Sequence, residues 1–310
     1  MNLVFCGTPQ FAVPTLSELV AVGFTVQLVV SQPDRPRGRG MEVALTPVKE
    51  LAAALGLPIT QPEQIRNNSE FRAQLESLRP DAIVVVAYGR IVPKWMIDLP
   101  RLGNLNAHAS LLPKYRGAAP IQWAIASGES ATGVTTMRID AGLDTGDILL
   151  QRELPIAPDD TAVTLAPRLA GLAAQLMVET LRGLDEGRLV ARPQDHARAT
   201  LAPLLKKEDG RIDFARPARE IHNRVRGFQP WPGAFTRFRD KTLTLCQTQP
   251  LERGGLGPGE IRVEEERLLA GCGAGTRLAI VELQPEGKKR MSARDFLNGY
   301  KPRDGEKLGN

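Results

Sequence analysis

Residues 82–89 read Ala82-Ile-Val-Val-Val-Ala87-Tyr88-Gly89, an apolar run that ends in Tyr-Gly. Two similar runs lie upstream, from Leu3 to Cys6 and from Val26 to Val30, and segments with helical spacing cover 46–56 and 69–79. Near-continuous apolar strands that alternate with helices are typical of a parallel sheet covered on both faces. We therefore predict an α/β region with a doubly wound, mostly parallel, Rossmann-like sheet. In such a sheet, ligands bind beyond the carboxyl ends of the strands.

The turn after the first apolar run argues against one large class of function. It reads Gly7-Thr-Pro-Gln-Phe-Ala12, whereas dinucleotide-dependent oxidoreductases carry Gly-x-Gly-x-x-Gly at this place. The sequence also lacks a phosphate-binding loop that ends in Gly-Lys-Ser or Gly-Lys-Thr. We therefore expect neither NAD nor ATP nor GTP as a ligand.

Polar side chains are concentrated where the sequence reads Asn106-Ala-His108-Ala-Ser110-Leu-Leu-Pro113. Because successive side chains of an extended segment point to opposite faces, Asn106 and His108 share one face. Asp144 lies in a second, glycine-bracketed turn, where its carboxylate could accept a hydrogen bond from one ring nitrogen of His108 and fix the tautomer. This set has no hydroxyl or thiol nucleophile. It suits a reaction in which the substrate brings the nucleophile, while the protein stabilises an oxyanion and moves protons. The alternative is that His108 is a structural, hydrogen-bonded residue.

The last third of the chain has a different pattern, in which short apolar runs are separated by turns. These runs cover 234–238, 242–248, 259–263, 267–270 and 277–283. Several short strands of this kind predict a small, OB-like β-barrel. The stretch 192–210 loses periodicity and gathers Pro, Gly and charged residues, which is typical of a linker. We therefore predict a first domain over 1–191, a linker over 192–210 and a β-barrel domain over 211–310.

The charge is divided unevenly between these parts. Residues 1–199 carry 19 Lys and Arg against 20 Asp and Glu, a net charge of −1, whereas residues 200–310 carry 21 against 15, a net charge of +6. A basic excess in one region points to a polyanionic partner, most often nucleic acid. The alternative is a solvated basic surface with no partner.

The stretch from Gln32 to Pro47 contains three Pro, two Gly and three Arg. A long loop without regular structure inside an α/β domain is unusual unless it is functional. We predict a mobile arm that contacts an anion, with a solvated charged loop as the alternative.

The three cysteines, Cys6, Cys246 and Cys272, are too widely spaced for a zinc motif or a disulfide framework. No run of about 18 apolar residues and no secretion signal is evident. We expect a cytoplasmic protein without a metal and without a membrane segment, and a monomer.

Several motifs together resemble the methionyl-tRNA formyltransferase family over essentially the whole chain. They are Gly7-Thr-Pro, Gln32-Pro-Asp-Arg-Pro with Gly38-Arg-Gly40, Val84-Val-Val-Ala-Tyr-Gly89, Asn106-x-His108-x-Ser-Leu-Leu-Pro113, Arg116-Gly-Ala-Ala-Pro-Ile-Gln122, Gly142-Leu-Asp-Thr-Gly-Asp147, Pro230-Trp-Pro232 and Lys288-Lys-x-Met-Ser-Ala-Arg-Asp-Phe-Leu297. The motif around Asn106 and His108 is shared with other folate-dependent formyl transferases and hydrolases. It therefore identifies the chemistry, and the arginine loop and the basic C-terminal domain identify the acceptor.

The resemblance implies 10-formyltetrahydrofolate as formyl donor and the amino group of methionine on initiator tRNA as acceptor. It implies Asn106, His108 and Asp144 as the catalytic residues. Residues implied for the folate are Ser110, Leu111, Leu112, Pro113, Ala87, Tyr88, Asp140 and Gly142. Residues implied for the tRNA are Arg39, Lys206 and Lys207, the two lysines because Leu201 and Leu204 stand where the family usually has a Tyr and a Lys.

Three other functions keep part of this pattern. A formyl transferase that acts on a small amine would need the same site without the basic domain. A formyltetrahydrofolate hydrolase would use water as the nucleophile. An RNA-binding protein with an inactive first domain would keep the basic domain alone, which the joint presence of Asn106, His108 and Asp144 disfavours.

Overall fold

The computed structural model describes residues 1–37, 42–252 and 254–309, and these form two compact units. The first unit comprises Met1–Pro120, Ala131–Pro155 and Ala166–Pro203. The second comprises Ile121–Ser130, Ile156–Leu165 and Leu204–Asn310. No helix in the described ranges is long and apolar enough to cross a membrane.

The first unit is built on a seven-stranded sheet in the order β5-β2-β1-β6-β7-β8-β9. The strands of this unit are β1 Asn2–Gly7, β2 Thr25–Val30, β3 Arg35–Arg37, β4 Glu42–Ala44, β5 Ile59–Thr60, β6 Ala82–Val86, β7 Asn104–His108, β8 Ala131–Arg138 and β9 Ile148–Pro155. The five neighbouring strands β5, β2, β1, β6 and β7 pair in parallel. Strand β8 pairs antiparallel with β7, and β9 pairs antiparallel with β8. The predicted mostly parallel sheet is therefore confirmed.

Two of the helices confirm the helical segments predicted at 46–56 and 69–79. The helices are α1 Val13–Ala21, α2 Pro47–Ala54, α3 Ser69–Leu78, α4 Lys94–Ile97, α5 Pro120–Ala126, α6 Ala162–Asp185, α7 Ala218–Gly227 and α8 Ala293–Tyr300. Thr46 begins α2 by accepting a hydrogen bond from the Lys49 amide at 3.2 Å, and Pro47 fits the first turn because it lacks an amide hydrogen. Thr161 caps α6 in the same way through the Thr164 amide at 3.2 Å.

Every residue of β6 is buried, which explains why this strand reads as an unbroken apolar run. Its side chains on one face join a core cluster with residues of β1, β2 and α3. The strand therefore lies at the centre of the sheet, between β1 and β7. Its register places Val85 beside Asn106, so the residues that follow β6 and β7 emerge at the same edge.

The arginine-rich loop is more regular than predicted. Its described parts form a two-stranded antiparallel hairpin in which β3 pairs with β4, from Arg35 opposite Ala44 to Arg37 opposite Glu42. The prediction of a loop without regular structure over 32–47 is therefore wrong at these residues. Strands of only three residues are too short to show apolar alternation, so the sequence pattern could not reveal them.

The second unit contains an all-antiparallel sheet in the order β10-β11-β14-β13-β12, with β15 beside β14. Its strands are β10 Ala234–Phe238, β11 Lys241–Leu251, β12 Ile261–Glu264, β13 Arg267–Gly271, β14 Arg277–Pro285 and β15 Met291–Ser292. One face covers a core that includes residues of α7 and α8.

The two edges of this sheet are joined by the segment 306–309. Its Leu308 amide donates to the Gly259 carbonyl at 2.7 Å, beside β12, and its Gly309 amide donates to the Arg237 carbonyl of β10 at 3.0 Å. The segment therefore hydrogen bonds with both sheet edges, and the C-terminal unit has the barrel-like closure that the short strands predict.

Candidate active site

Strand β7 carries two of the predicted catalytic side chains at the edge where it leaves the sheet. It pairs with β8 so that Asn106 lies opposite Met137 and His108 opposite Thr135. Asn106 is half-buried, and its carboxamide makes no hydrogen bond to any residue in the described part of the chain. His108 is only 6% exposed. An unengaged amide beside a buried imidazole is suited to donate hydrogen bonds to a substrate oxygen.

The two ring nitrogens of His108 have different partners. Nε2 lies 2.9 Å from the Tyr115 carbonyl, and because a carbonyl only accepts, Nε2 carries a proton. Nδ1 lies 3.7 Å from Oδ2 of Asp144, which is within ion-pair distance but too long for a hydrogen bond. The predicted direct hydrogen bond from His108 to Asp144 is therefore absent in this structure, and the Tyr115 carbonyl fixes the tautomer instead.

Asp144 is held by backbone groups. Its Oδ2 accepts a hydrogen bond from the Gly117 amide at 2.8 Å, and its own φ of 51° places it in the left-handed region. Two residues later, a Cβ on Gly146 would lie 1.9 Å from the Arg138 carbonyl. The turn therefore passes so close to the end of β8 that only glycine fits there.

Gln194 and Arg116 form a second support for the same turn. The side-chain Nε2 of Gln194 donates to the carbonyl of Asp144 at 2.9 Å and to that of Gly146 at 2.7 Å. Its Oε1 accepts from Nε and Nη2 of Arg116 at 3.1 and 2.6 Å. Both side chains are buried, at 5% and 7% exposure. Nη2 of Arg116 also donates to Nδ1 of His196 at 3.1 Å.

Neither Gln194 nor its contact with Arg116 was found from the sequence. Arg116 belongs to a motif of the family resemblance, but Gln194 lies in the aperiodic stretch assigned to the linker. A single buried Gln in a segment without periodicity gives no sequence signal.

The segment 200–202 pairs with the loop after His108. The Tyr115 amide donates to Oγ1 of Thr200 at 2.8 Å, the Arg116 amide donates to the Thr200 carbonyl at 2.9 Å, and the Ala202 amide donates to the Arg116 carbonyl at 2.7 Å. This short parallel bridge, centred on Arg116 and Leu201, fixes the loop whose carbonyl holds His108.

The predicted folate-lining segment 110–113 is largely engaged with its own neighbours. Oγ of Ser110 donates to the Lys114 carbonyl at 2.6 Å, and Ser110 is fully buried. Oγ1 of Thr135 donates to the Ser110 carbonyl at 2.6 Å and accepts from the Leu112 amide at 3.1 Å. Leu112 is buried, whereas Leu111 and Pro113 are half-buried. Only these last two residues present side-chain surface to a ligand.

The predicted backbone contacts at the ends of β6 and β8 have mixed surroundings. Ala87 is exposed and has a φ of 45°. The Tyr88 carbonyl accepts from Nε2 of Gln32 at 2.7 Å and from Oγ1 of Thr8 at 3.2 Å, while burial raises the pKa of the Tyr88 phenol. The Tyr88 carbonyl is therefore already occupied.

Asp140 organises the other predicted contact. Its Oδ1 accepts from the Gly142 amide at 3.0 Å and from Oγ1 of Thr145 at 2.7 Å. The carboxylate thus shapes the turn that carries Asp144, and both Asp140 and Gly142 are exposed.

The base of the arginine-rich loop is anchored to the sheet. Oδ1 of Asp34 accepts from Nε2 of Gln61 at 2.8 Å, and Asp34 forms an ion pair with Lys49. Burial alone would raise the pKa of Asp34, but the hydrogen bonds from Lys49 and Gln61 lower it below its ordinary value. Arg39 lies outside the described residues.

The remaining predicted tRNA residues are on the surface of the second unit. Lys206 and Lys207 are exposed at the start of a short 3-10 helix over Lys207–Gly210. Leu201 and Leu204 are 70% and 71% exposed. In the described ranges, no group of three or more His, Cys, Asp or Glu side chains is placed to hold a metal ion.

Solved structures share this fold at low sequence identity. The N-formyltransferase from Helicobacter canadensis, solved in complex with folinic acid and dTDP-3-aminofucose, has a TM-score of 0.68 at 19% identity and covers 90% of this chain and 98% of its own. The methionyl-tRNA formyltransferase from Clostridium thermocellum has a TM-score of 0.55 at 18% identity and covers 80% and 93%.

Sequence relatives are much closer. The methionyl-tRNA formyltransferase of Koribacter versatilis is 65% identical over 309 residues, covering 100% of this chain and 99% of that protein. That of Acidobacterium capsulatum is 64% identical over 300 residues, covering 96% of each. Family models described as formyl transferase and as formyl transferase, C-terminal domain match residues 1–181 and 204–301. With both models matched and such identity along its length, the chain belongs to the formyl transferase family.

Proposed function

We propose that this chain transfers the formyl group of 10-formyltetrahydrofolate to the amino group of methionyl initiator tRNA. The product is N-formylmethionyl-tRNA for translation initiation. The proposal is carried by the full-length identity of 65% to a methionyl-tRNA formyltransferase, and it is supported by the ion-pair distance between His108 and Asp144 and by Asn106 on the same strand as His108. The net charge of +6 over residues 200–310 supports a nucleic acid as the acceptor.

The donor supplies an activated formyl carbon, and the acceptor amine supplies the nucleophile. A bond forms between the amine nitrogen and the formyl carbon, the bond from that carbon to N10 of the folate breaks, the amine loses a proton and N10 gains one. Negative charge develops on the formyl oxygen on the way. The protein therefore has to stabilise one oxygen and move one proton, which needs no nucleophile of its own.

Asn106 and His108 are the groups that we assign to these tasks. The Asn106 amide has no partner in the described residues, so it is free to donate to the formyl oxygen without breaking an existing bond. The Tyr115 carbonyl occupies Nε2 of His108, which leaves Nδ1 for proton exchange.

Asp144 stabilises the protonated imidazole from 3.7 Å. Two unit charges about 4 Å apart attract each other by about 4 kcal/mol at an effective dielectric constant near 20, before desolvation is counted. That attraction favours the charged ring at the moment when the amine gives up its proton.

For the folate we propose a pocket bounded by the segment 110–113, by Ala87 and Tyr88 after β6, and by Asp140 and Gly142. Leu111, Pro113 and Ala87 are the members with surface to offer, because Ser110, Leu112 and the Tyr88 carbonyl are engaged or buried. For the tRNA we propose Arg39, Lys206 and Lys207. We also propose that the catalytic domain covers 1–191, the linker 192–210 and the tRNA-binding domain 211–310, and that the protein acts as a cytoplasmic monomer.

The deciding experiment supplies the protein with 10-formyltetrahydrofolate and one of three acceptors: methionyl-tRNA, a small amine such as free methionine, or water alone. We expect formyl transfer to methionyl-tRNA that far exceeds the other two. Transfer to the small amine at a comparable rate would establish the first rival function, and release of formate without an acceptor would establish the hydrolase.

Charge reversal tests the arginine loop separately. Arg39→Glu should weaken tRNA turnover and spare folate binding, because the loop is assigned to the acceptor. Lys94→Glu is the matched control, since Lys94 is 86% exposed on α4 and, among the described residues, forms its ion pair with Asp98. An equal loss of folate binding and tRNA turnover in Arg39→Glu would contradict the assignment.

A further inference from the structure

Trp231 is an exposed aromatic side chain on a rigid turn of the second unit. It is 54% exposed, and it lies between Pro230 and Pro232 in the connection from α7 to β10. The turn is closed by a hydrogen bond of 2.9 Å from the Gly233 amide to the Phe228 carbonyl. Proline fixes the backbone φ on each side, so the indole has little backbone freedom to fold back onto the protein. The proposed chemistry gives this side chain no role.

A first basic segment lies directly against this turn. A Cβ on Gly210 would lie 2.1 Å from the Gly233 carbonyl, so the 3-10 helix that begins at Lys207 packs on the turn backbone. Nη1 of Arg224 also donates to the Asp209 carbonyl of that helix at 3.3 Å. Lys206 and Lys207 are therefore fixed close to Trp231.

A second basic segment is connected to this turn through the sheet. The Thr244 methyl lies 3.6 Å from where a Cβ on Gly233 would be. Thr244 pairs with Gln284 between β11 and β14, and Nε2 of Gln284 donates to the Lys288 carbonyl at 2.8 Å. The exposed run Lys288-Lys289-Arg290 is thus linked to the Trp231 turn by three successive contacts.

The lysines of both segments are available for a ligand. In the part of the chain that the structure describes, Lys206, Lys207, Lys288 and Lys289 form no salt bridge. Many arginines of the same unit do, including Arg216, Arg239, Arg277 and Arg294, and Arg290 of the second basic segment pairs with Glu282. Uncompensated cations gathered around an exposed indole are a typical surface for single-stranded nucleic acid, in which bases stack on aromatic rings and phosphates meet lysines.

We propose that Trp231, Lys206, Lys207, Lys288 and Lys289 form a face that binds an unpaired segment of RNA, with one base stacked on Trp231. This inference rests on the proposed tRNA substrate and adds the residues that hold it. Two residues of extended chain from Trp231 to Gly233 span at most about 7 Å, and the three residues from Gly210 to Lys207 span about 6 Å in a 3-10 helix. Lys206 and Lys207 therefore lie within a few nucleotides of the stacked base. A duplex fits less well, since its bases are already stacked on each other.

The test measures the affinity of the full chain for deacylated tRNA over a range of salt concentrations. Trp231→Ala should raise Kd roughly 5- to 150-fold, the range measured for loss of one stacked base. The slope of log affinity against log salt should stay the same, because no phosphate contact is lost. Trp231→Phe should recover most of the affinity. The double variant Lys288→Gln with Lys289→Gln should instead reduce the slope by about 1.4.

Two exposed residues of the first unit serve as matched controls. Ile91 is 90% exposed and Lys94 is 86% exposed, so Ile91→Ala and Lys94→Gln should leave Kd and slope unchanged. An unpaired oligoribonucleotide should compete with tRNA on the wild type better than a blunt RNA duplex of equal length. An unchanged Kd in Trp231→Ala, an equal effect of Ile91→Ala, or equal competition by the duplex would each overturn the inference.

Binding of deacylated tRNA requires no formyl transfer, so the two proposals fail in different ways. If the wild type formylates methionyl-tRNA while Trp231→Ala binds tRNA normally, the RNA-binding face is refuted and the proposed function stands. If the wild type binds tRNA through this face but transfers no formyl group, the face stands and the proposed function is refuted.

Discussion

The side-chain amide of Gln194 donates a hydrogen bond of 2.9 Å to the main-chain carbonyl of Asp144. The same amide reaches Gly146, and its oxygen receives the Arg116 guanidinium. The position of the Asp144 turn thus depends on a residue 50 positions later in the chain. The role that we propose for Asp144 depends on its distance to His108, and therefore on this support.

Two substitutions test separately the donor and the acceptor of the Gln194 side-chain amide. Gln194→Glu keeps an oxygen for Arg116 but replaces the donor to the turn by an acceptor that faces the Asp144 and Gly146 carbonyls, so the formyl transfer rate should fall about tenfold or more. Gln194→Ala also leaves the buried Arg116 without its main acceptor, which should cost about 1–3 kcal/mol of stability. Single-turnover transfer and urea unfolding measure the two effects. A fully active Gln194→Glu variant would contradict this role.

Asn106 and Asn104 lie on the same strand and should respond in opposite ways. Asn106→Ala removes a carboxamide without a partner in the described residues, so stability should change by less than about 0.5 kcal/mol. Its transfer rate should fall about 10²–10³-fold, as for loss of one oxyanion donor. Asn104 is 1% exposed and donates to the Met96 carbonyl at 2.7 Å. Asn104→Ala should therefore lower stability by about 1–3 kcal/mol and reduce the rate far less. Reversal of this pattern would remove Asn106 from the mechanism.

Gly146→Ala tests the close approach of the Asp144 turn to β8. The added Cβ would lie 1.9 Å from the Arg138 carbonyl, so the turn has to shift, and both Tm and transfer rate should fall. Gly171→Ala is the control within α6, where a Cβ meets no atom within 4 Å. It should raise stability by about 0.5–1 kcal/mol, because alanine favours helix. A Gly146→Ala variant with normal activity would show that the turn can move without harm.

The free energy of unfolding should decrease in mild acid because of His222. Burial, together with Arg226 and Arg219, lowers the pKa of His222 to about 4. The unfolded chain, with a pKa near 6.5, therefore takes up a proton first as pH falls. The stability that neutral His222 contributes to the folded state is complete above about pH 6.5 and is lost progressively as the pH falls towards 4. The loss should reach roughly 1–3 kcal/mol, allowing for partial solvent access.

His222→Gln removes this titration and should flatten the pH dependence of unfolding between pH 7 and pH 4.5. Urea unfolding of both proteins at the two pH values measures the difference. Equal pH dependence in the two proteins would contradict the assignment to His222.

The sequence predicted most of the sheet because its central strands are buried on both faces. A strand such as β6 has to be apolar throughout, and that requirement is visible without a structure. The side-by-side placement of Asn106 and His108 followed from alternation along one strand. The same reasoning gave the strands of the second unit, where each run is bounded by turns.

What the sequence did not reveal depends on contacts between distant, irregular segments. Gln194 and Thr200 act through single hydrogen bonds to backbone groups, and neither belongs to a periodic pattern. The partner of Nε2 of His108 is a main-chain carbonyl, which any residue type could supply. The closure of the C-terminal sheet by 306–309 is hidden for the same reason, since it uses backbone groups alone.

The pairing of Thr200 and Ala202 with the loop over 115–119 has a consequence for protein engineering. A fragment that stops at residue 191 retains all three polar side chains and every strand of the first sheet. It lacks the amide and carbonyl groups that fix Tyr115 and Arg116, and it also lacks Gln194. Such a fragment should fold into its sheet and bind ligand poorly, whereas one extended to Pro203 would keep the scaffold of the proposed active site. A truncated version of the first unit should therefore end at residue 203 and not at residue 191, shortly after α6.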